Sequence, residues 1–181
     1  MKAPFDFVIE PKGSRYNNTK KVGDKDLIIN TEIYNHQFVN REAIVKSIPT
    51  AFKTKIKPGD TIITHHNVFR RWHDIKGKEK NSGSYINDNL YKIDDLQIYA
   101  YKQNNVWKAI PGYTFVEPIK EGIGEVKYSD VYSKGDIIGY LPVAEYEFII
   151  DDIKLYRVKN NFITIKYESK PKKEEHNRSW L

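Results

Sequence analysis

The octapeptide IKPGDTII, residues 56–63, has a near copy in YSKGDIIG, residues 132–139, and that pair decides how the chain is read. In each copy a Gly-Asp step (Gly59-Asp60, Gly135-Asp136) supplies turn chemistry, and a β-branched apolar run follows it, the pattern of a strand entered through a tight turn. Two further matches occur in the same order. FVIEPKG from Phe7 returns as FVEPIKE from Phe115, and IDDLQIYAYKQNNVW from Ile93 returns as IDDIKLYRVKNNFI from Ile150. Ordered self-similarity of this kind is the signature of a repeated structural unit. Within it, Asp94-Asp95 and Asp151-Asp152 predict tight hairpins, and Asn104-Asn105 and Asn160-Asn161, which tolerate positive φ, predict a second pair.

Outside these matches the strand signals continue. AIVKSI, EVKYS, EYEFII and FITIKYE are short, rich in β-branched and aromatic residues, and bounded by Gly, Pro, Asn or Asp. No segment holds a 3.6-residue apolar period over three turns. The class is therefore all-β, a barrel or sandwich of short strands. The copies differ in their insertions. Copy one carries about thirty residues, Lys12 to Arg41, where copy two has only KEGIG, Lys120 to Gly124; it also carries FRRWHDIKGKEKNSGS, Phe69 to Ser84, where copy two passes through LPVA. Long insertions on one copy of a scaffold are where function is expected.

At 181 residues the chain can bury a core as one ordinary domain or two small ones. The boundaries expected are a first module over 1–112, with a mobile loop at about 12–40 and a basic insertion at about 69–84, a truncated second module over 113–168, and a flexible charged tail over 169–181. Hydrophobic residues make up 39% and charged residues 30%, which fits a folded body. Cysteine is absent, which excludes disulfides and thiolate chemistry. No apolar run approaches the ~20 residues that span a bilayer, and MKAPFDFVIEP lacks the apolar core of a signal peptide. The expectation is a soluble, cytoplasmic protein with no membrane partner. The formal charge of +6 raises nucleic acid as a partner, but the charge is spread along the chain apart from two clusters, so nucleic acid is the disfavoured partner.

The order of motifs resembles the GroES-type co-chaperonins, the ten-kilodalton chaperonin family, whose small β-barrel subunits form a ring that caps a GroEL-type chaperonin. The residues that carry the likeness are FDFVIEP for the leading strand, LIINTEIYNHQFVNREAIV for an aliphatic tripeptide and the strand beyond it, IKPGDTII for the Gly-Asp strand, and LYKIDDLQIYAYKQNNVWKAI for the closing hairpin. It covers residues 5 to 110 well and 113 to 167 as a truncated second copy. The chain departs from the family in having Gly23 four residues before the tripeptide, Asp26 beside it, and Glu42 where the family has Gly. The resemblance implies a GroES-like small β-barrel, phage-encoded or otherwise divergent and then at work in the host cytoplasm. It also implies a homo-oligomeric ring, a heptamer on the family pattern, that binds a GroEL-type chaperonin through Leu27, Ile28 and Ile29. It implies no cofactor of the chain's own, the ATP being hydrolysed by the partner.

The residues fit that role chemically. GSRYNNTKKVGDKD cannot bury itself, and it leads into three bare aliphatics. Each fully buried aliphatic contributes ~1.5 to 3 kcal/mol before the cost of ordering the loop. One loop binds weakly, and a ring of tethered loops binds through high effective concentration. Elsewhere, Arg70, Arg71, Lys76 and Lys78 with Phe69 and Trp72 interleaved form a loop suited to a ring lumen, a subunit interface or single-stranded nucleic acid. His65, His66 and His73 lack further ligands at metal spacing, so no metal is expected. There is no nucleophile elbow, phosphate-cradling loop or zinc spacing, and catalysis is not expected. The alternatives are an all-β nucleic-acid-binding module built on the basic loop, or a phage structural β-protein.

Overall fold

The computed structural model describes residues 1–16, 19–28 and 39–168, with the backbone alone for residues 19–21, 26 and 28. It is all-β with antiparallel pairing throughout, and the chain divides into two compact units, Met1–Asn105 and Val106–Leu181. The division falls at the Asn104-Asn105 turn, earlier than the 112/113 junction expected. Both asparagines take positive φ, 50° and 64°, as a two-residue hairpin turn requires.

The first unit contains β1 (Phe7–Pro11), β2 (Thr19–Val22), β3 (Lys25–Ile28), β4 (Glu42–Ser47), β5 (Thr61–Thr64), β6 (Arg71–His73), β7 (Glu79–Asn81), β8 (Tyr85–Asn87), β9 (Leu90–Ile93) and β10 (Ile98–Gln103). Six of these share a sheet in the order β8-β9-β1-β4-β5-β10, while β2-β3 and β6-β7 are separate two-stranded hairpins. The second unit contains β11 (Val106–Ala109), β12 (Tyr113–Lys120), β13 (Ile123–Ser129), β14 (Ile137–Tyr140), β15 (Tyr146–Ile150), β16 (Ile153–Lys159) and β17 (Ile163–Tyr167). Its sheet runs β15-β16-β12-β13-β14-β17, the first unit's order strand for strand.

The equivalence extends to register. Ile9 pairs with Val45 on one side and Tyr91 on the other, as Val116 pairs with Val126 and Tyr156. The bulge between Val8 and Ile9 recurs between Phe115 and Val116. The Gly-Asp turns are bonded alike. Gly59 N–H donates to Val45 O and Gly135 N–H to Val126 O, both at 2.8 Å, and the glycines hold φ of 91° and 92°. Lys46 meets Glu10 at 2.8 Å, and Lys127 meets Glu117 at 2.8 Å. Both cores are built from inward-facing positions of these strands. Ile9, Ile62, Tyr91 and Ile98 are buried in the first, and Val116, Ile138 and Tyr156 in the second.

Three expectations need correction. Neither sheet is a closed barrel: β8 ends one, β15 and β17 end the other, and among the described strands each of these pairs with a single neighbour. Closure needs first and last strands to pair at a set stagger, which this arrangement does not do. The second unit is not short of framework strands, since it keeps all six; what it lacks is the two insertions and part of the loop before the Gly-Asp turn. The third sequence match is also out of step. Asp151-Asp152 is a hairpin turn with φ of 48° and 62°, but Asp94 caps a 3-10 turn, Asp95–Gln97, whose counterpart is Asn160–Phe162. The structurally equivalent stretches are therefore Leu90-Tyr91-Lys92-Ile93 and Leu155-Tyr156-Arg157-Val158.

Candidate functional site: two interlocked insertions

Most of what the first unit has beyond the shared framework comes from two insertions, and the structure brings their bases together. The first leaves β1 at Pro11 and returns at β4. Its neck is pinned by Asn40, a buried amide whose Nδ2 donates to Lys12 O and Ser14 O, both at 2.9 Å, while its Oδ1 accepts Glu42 N–H. A bridge between Tyr16 and Val39 closes the neck above it.

Beyond the neck, β2 and β3 form a hairpin in which Thr19 pairs with Ile28 and Val22 with Lys25. Gly23 takes φ of 63°, the positive value a two-residue turn needs at its first central position. Leu27 is therefore a strand residue rather than part of an irregular loop. It is 52% exposed and lies on the same hairpin face as Val22, 54% exposed, by the two-residue alternation of a strand. Ile28 is placed by its backbone pairing, and Ile29 lies outside the described residues, as does the whole of the tail, 169–181, expected to be flexible.

The second insertion, residues 69–84, is a hairpin too, with Arg71 opposite Asn81 and His73 opposite Glu79. At its tip Asp74 Oδ1 accepts the N–H groups of Lys76 and Lys78, both at 2.9 Å. The Lys78 N–H is the main cause holding that carboxyl below its ordinary range; desolvation opposes it, and Lys76 N–H and Lys80 add to the lowering.

Arg15 and Tyr16 join the two insertions. Arg15 Nη2 donates to Phe69 O at 3.1 Å and to Asn81 Oδ1 at 2.8 Å, and its guanidinium lies 5.6 and 5.5 Å from the ring centres of Tyr85 and Tyr91. Arg71 N–H donates to Tyr16 Oη at 3.0 Å, and the Arg71 guanidinium stands 5.2 Å from the Tyr16 ring. Burial pushes the Tyr91 phenol up to about 12, against the opposing pull of the Arg15 charge. Neither Arg15 nor Tyr16 stands out in the sequence, because their partners lie more than fifty positions away.

The basic loop thus divides. Arg71 faces the neck and Glu79, at 3.5 Å, and Lys76 and Lys78 sit exposed at the tip. Arg70 and Trp72 line a cleft of about 780 Å³ with Lys92, Asp94, Leu96 and Gln97. Lys92 carried no signal in the sequence. His65 and His66 follow β5 in a turn, not on a strand, and their rings stack at 4.2 Å. Among the described residues no group of three or more His, Cys, Asp or Glu could hold a metal ion, and no helix is long and apolar enough to cross a membrane. No protein-family model, curated protein or solved structure matches the chain.

Proposed function

We propose that the protein is a co-chaperonin that docks on a GroEL-type chaperonin through the arm of its first unit, with Leu27, Ile28 and Ile29 as the anchor. The observation that carries the reading is the contrast between the two units. They share one six-strand framework and its register, yet only the first extends a hairpin paired to no sheet strand, with Leu27 half-exposed on it. The framework does without such an arm in the second unit, so the exposed aliphatic is free to serve a partner. An apolar anchor of this size binds weakly alone, which suits reversible capping by several copies held in one ring.

Size-exclusion chromatography with a GroEL-type chaperonin and ATP tests the reading. The wild-type chain co-elutes; a Leu27→Asp, Ile28→Asp, Ile29→Asp variant of unchanged thermal midpoint does not. Co-elution of that variant would remove the arm from the interaction.

A further inference from the structure

The cleft of the first unit contains groups that the fold itself leaves unused. Arg70 is half-buried, and among the described residues its solvent-shielded Nε has no hydrogen-bond partner and no carboxylate pairs with it. Trp72, on β6, is 37% exposed, Lys92, on β9, is exposed, and among the described residues Trp72 stacks on no other ring and Lys92 has no ion pair. All three line one cavity of about 780 Å³, large enough for a small ligand. Holding an arginine at a half-dry wall without a counter-ion is costly, and a bound anion removes that cost.

The rest of the lining narrows the ligand. Asp6, Asp94 and the amide residues Asn67 and Gln97 stand beside the two cations. Asp94 is already engaged, its Oδ1 accepting Gln97 N–H at 3.0 Å, whereas Asp6 is available to accept from a donor. A ligand that satisfies the site carries an anion for Arg70 and Lys92, a flat face for Trp72, and polar edges for the amides and Asp6. A nucleotide has all three. We infer that this cleft binds one nucleotide unit, with the base on Trp72 and the phosphate between Arg70 and Lys92. The second unit lacks the site. LPVA replaces the inserted hairpin there, and Arg157, the counterpart of Lys92, is taken up 5.0 Å from the Tyr113 ring and 5.3 Å from that of Tyr146.

The inference is independent of the arm's role, and its test leaves the arm untouched. The full chain is titrated with adenosine and uridine monophosphates and, separately, with a fluorescein-labelled single-stranded 12-mer, following tryptophan fluorescence and anisotropy. Read in a Trp180→Phe background, which removes the third tryptophan, quenching should be lost in Trp72→Phe, since Trp107 is buried with its Nε1 on Asp151 at 2.9 Å. Trp72→Ala should weaken binding about tenfold. Arg70→Gln and Lys92→Gln should each weaken it about as much, and Lys76→Gln with Lys78→Gln, at the hairpin tip, less than about twofold for the mononucleotides. Lys92 is exposed, so its variant keeps the test valid if Arg70→Gln fails to fold.

Equal affinity for mononucleotide and 12-mer assigns the site to free nucleotide. Tighter binding of the 12-mer, with a log–log salt slope of about −1.4 for two phosphates, assigns it to a strand. Either result supports the site. No binding of either probe at millimolar concentration, binding indifferent to Trp72→Ala and Lys92→Gln, or equal quenching by a hexaglutamate peptide would overturn it.

Discussion

Gly124 stands where the first unit has Ala43, and the second unit leaves no room there for a Cβ. A Cβ at Gly124 would lie 2.8 Å from Val116 Cβ, closer than real side chains approach. Gly124→Ala should therefore cost about 1–3 kcal/mol through overpacking, read as a lower thermal midpoint. Val143 presents the opposite case. It is an exposed β-branched residue at φ of 61°, a conformation that costs roughly 1–3 kcal/mol. Val143→Asn should relieve most of that strain and raise the midpoint. Asn40→Ala should cost roughly 1–3 kcal/mol, because it strands the part-buried Glu42 N–H and two neck carbonyls, and it should loosen the arm more than the sheet by hydrogen exchange. At this scale the sequence was legible where a residue's role is local. Gly59 and Gly135 announce their turns, but Arg15, Asn40 and Lys92 act through partners distant in the chain.

At the scale of elements, the same dipeptide serves two turns. Asp151-Asp152 closes a hairpin through left-handed backbone, while Asp94 accepts Gln97 N–H and Gln97 Oε1 returns to Asp94 N–H in a capping box. Both uses are open to Asp-Asp, so the residues alone could not choose between them, and the third sequence match slipped out of step for that reason. The insertions were legible as places of function but not as hairpins. Residues 71–81 have no alternation strong enough to announce strands, and their pairing is fixed by the Asp74 turn and by Arg15 at Asn81. The Gly-Asp turn of the second unit carries a pH signature. The hydrogen bond from Lys166 is the main cause holding the Asp136 carboxyl below its ordinary value of 3.8, with Ser133 N–H adding to it against desolvation. The folded chain thus takes up that proton less readily than the unfolded one. Its contribution to stability is complete above about pH 5 and is lost as pH falls through the lowered value. Asp136→Asn should flatten the acid limb of a plot of thermal midpoint against pH, and an unchanged limb would remove Asp136 from the account.

The molecule as a whole consists of two units with one plan, and their equivalence is closer in structure than in sequence. The all-β class and the repetition could be read from turn residues and short apolar runs. Barrel closure could not, because an open sheet and a barrel demand the same alternation along each strand. The open edges at β8, β15 and β17 matter for assembly. No described strand pairs with their outer backbone groups, which need covering or pairing, and Ile149 on β15 and Ile165 on β17 are exposed beside them. A ring of copies would give such edges partners, and closed cyclic symmetry is how like surfaces are satisfied without open-ended growth. Native mass spectrometry of the chain, alone and with an ATP-loaded GroEL-type chaperonin, tests the co-chaperonin reading most directly. The expected result is a closed oligomer of the 21.3 kDa chain that adds to the chaperonin as a single ring. A monomer that leaves the chaperonin mass unchanged would contradict it.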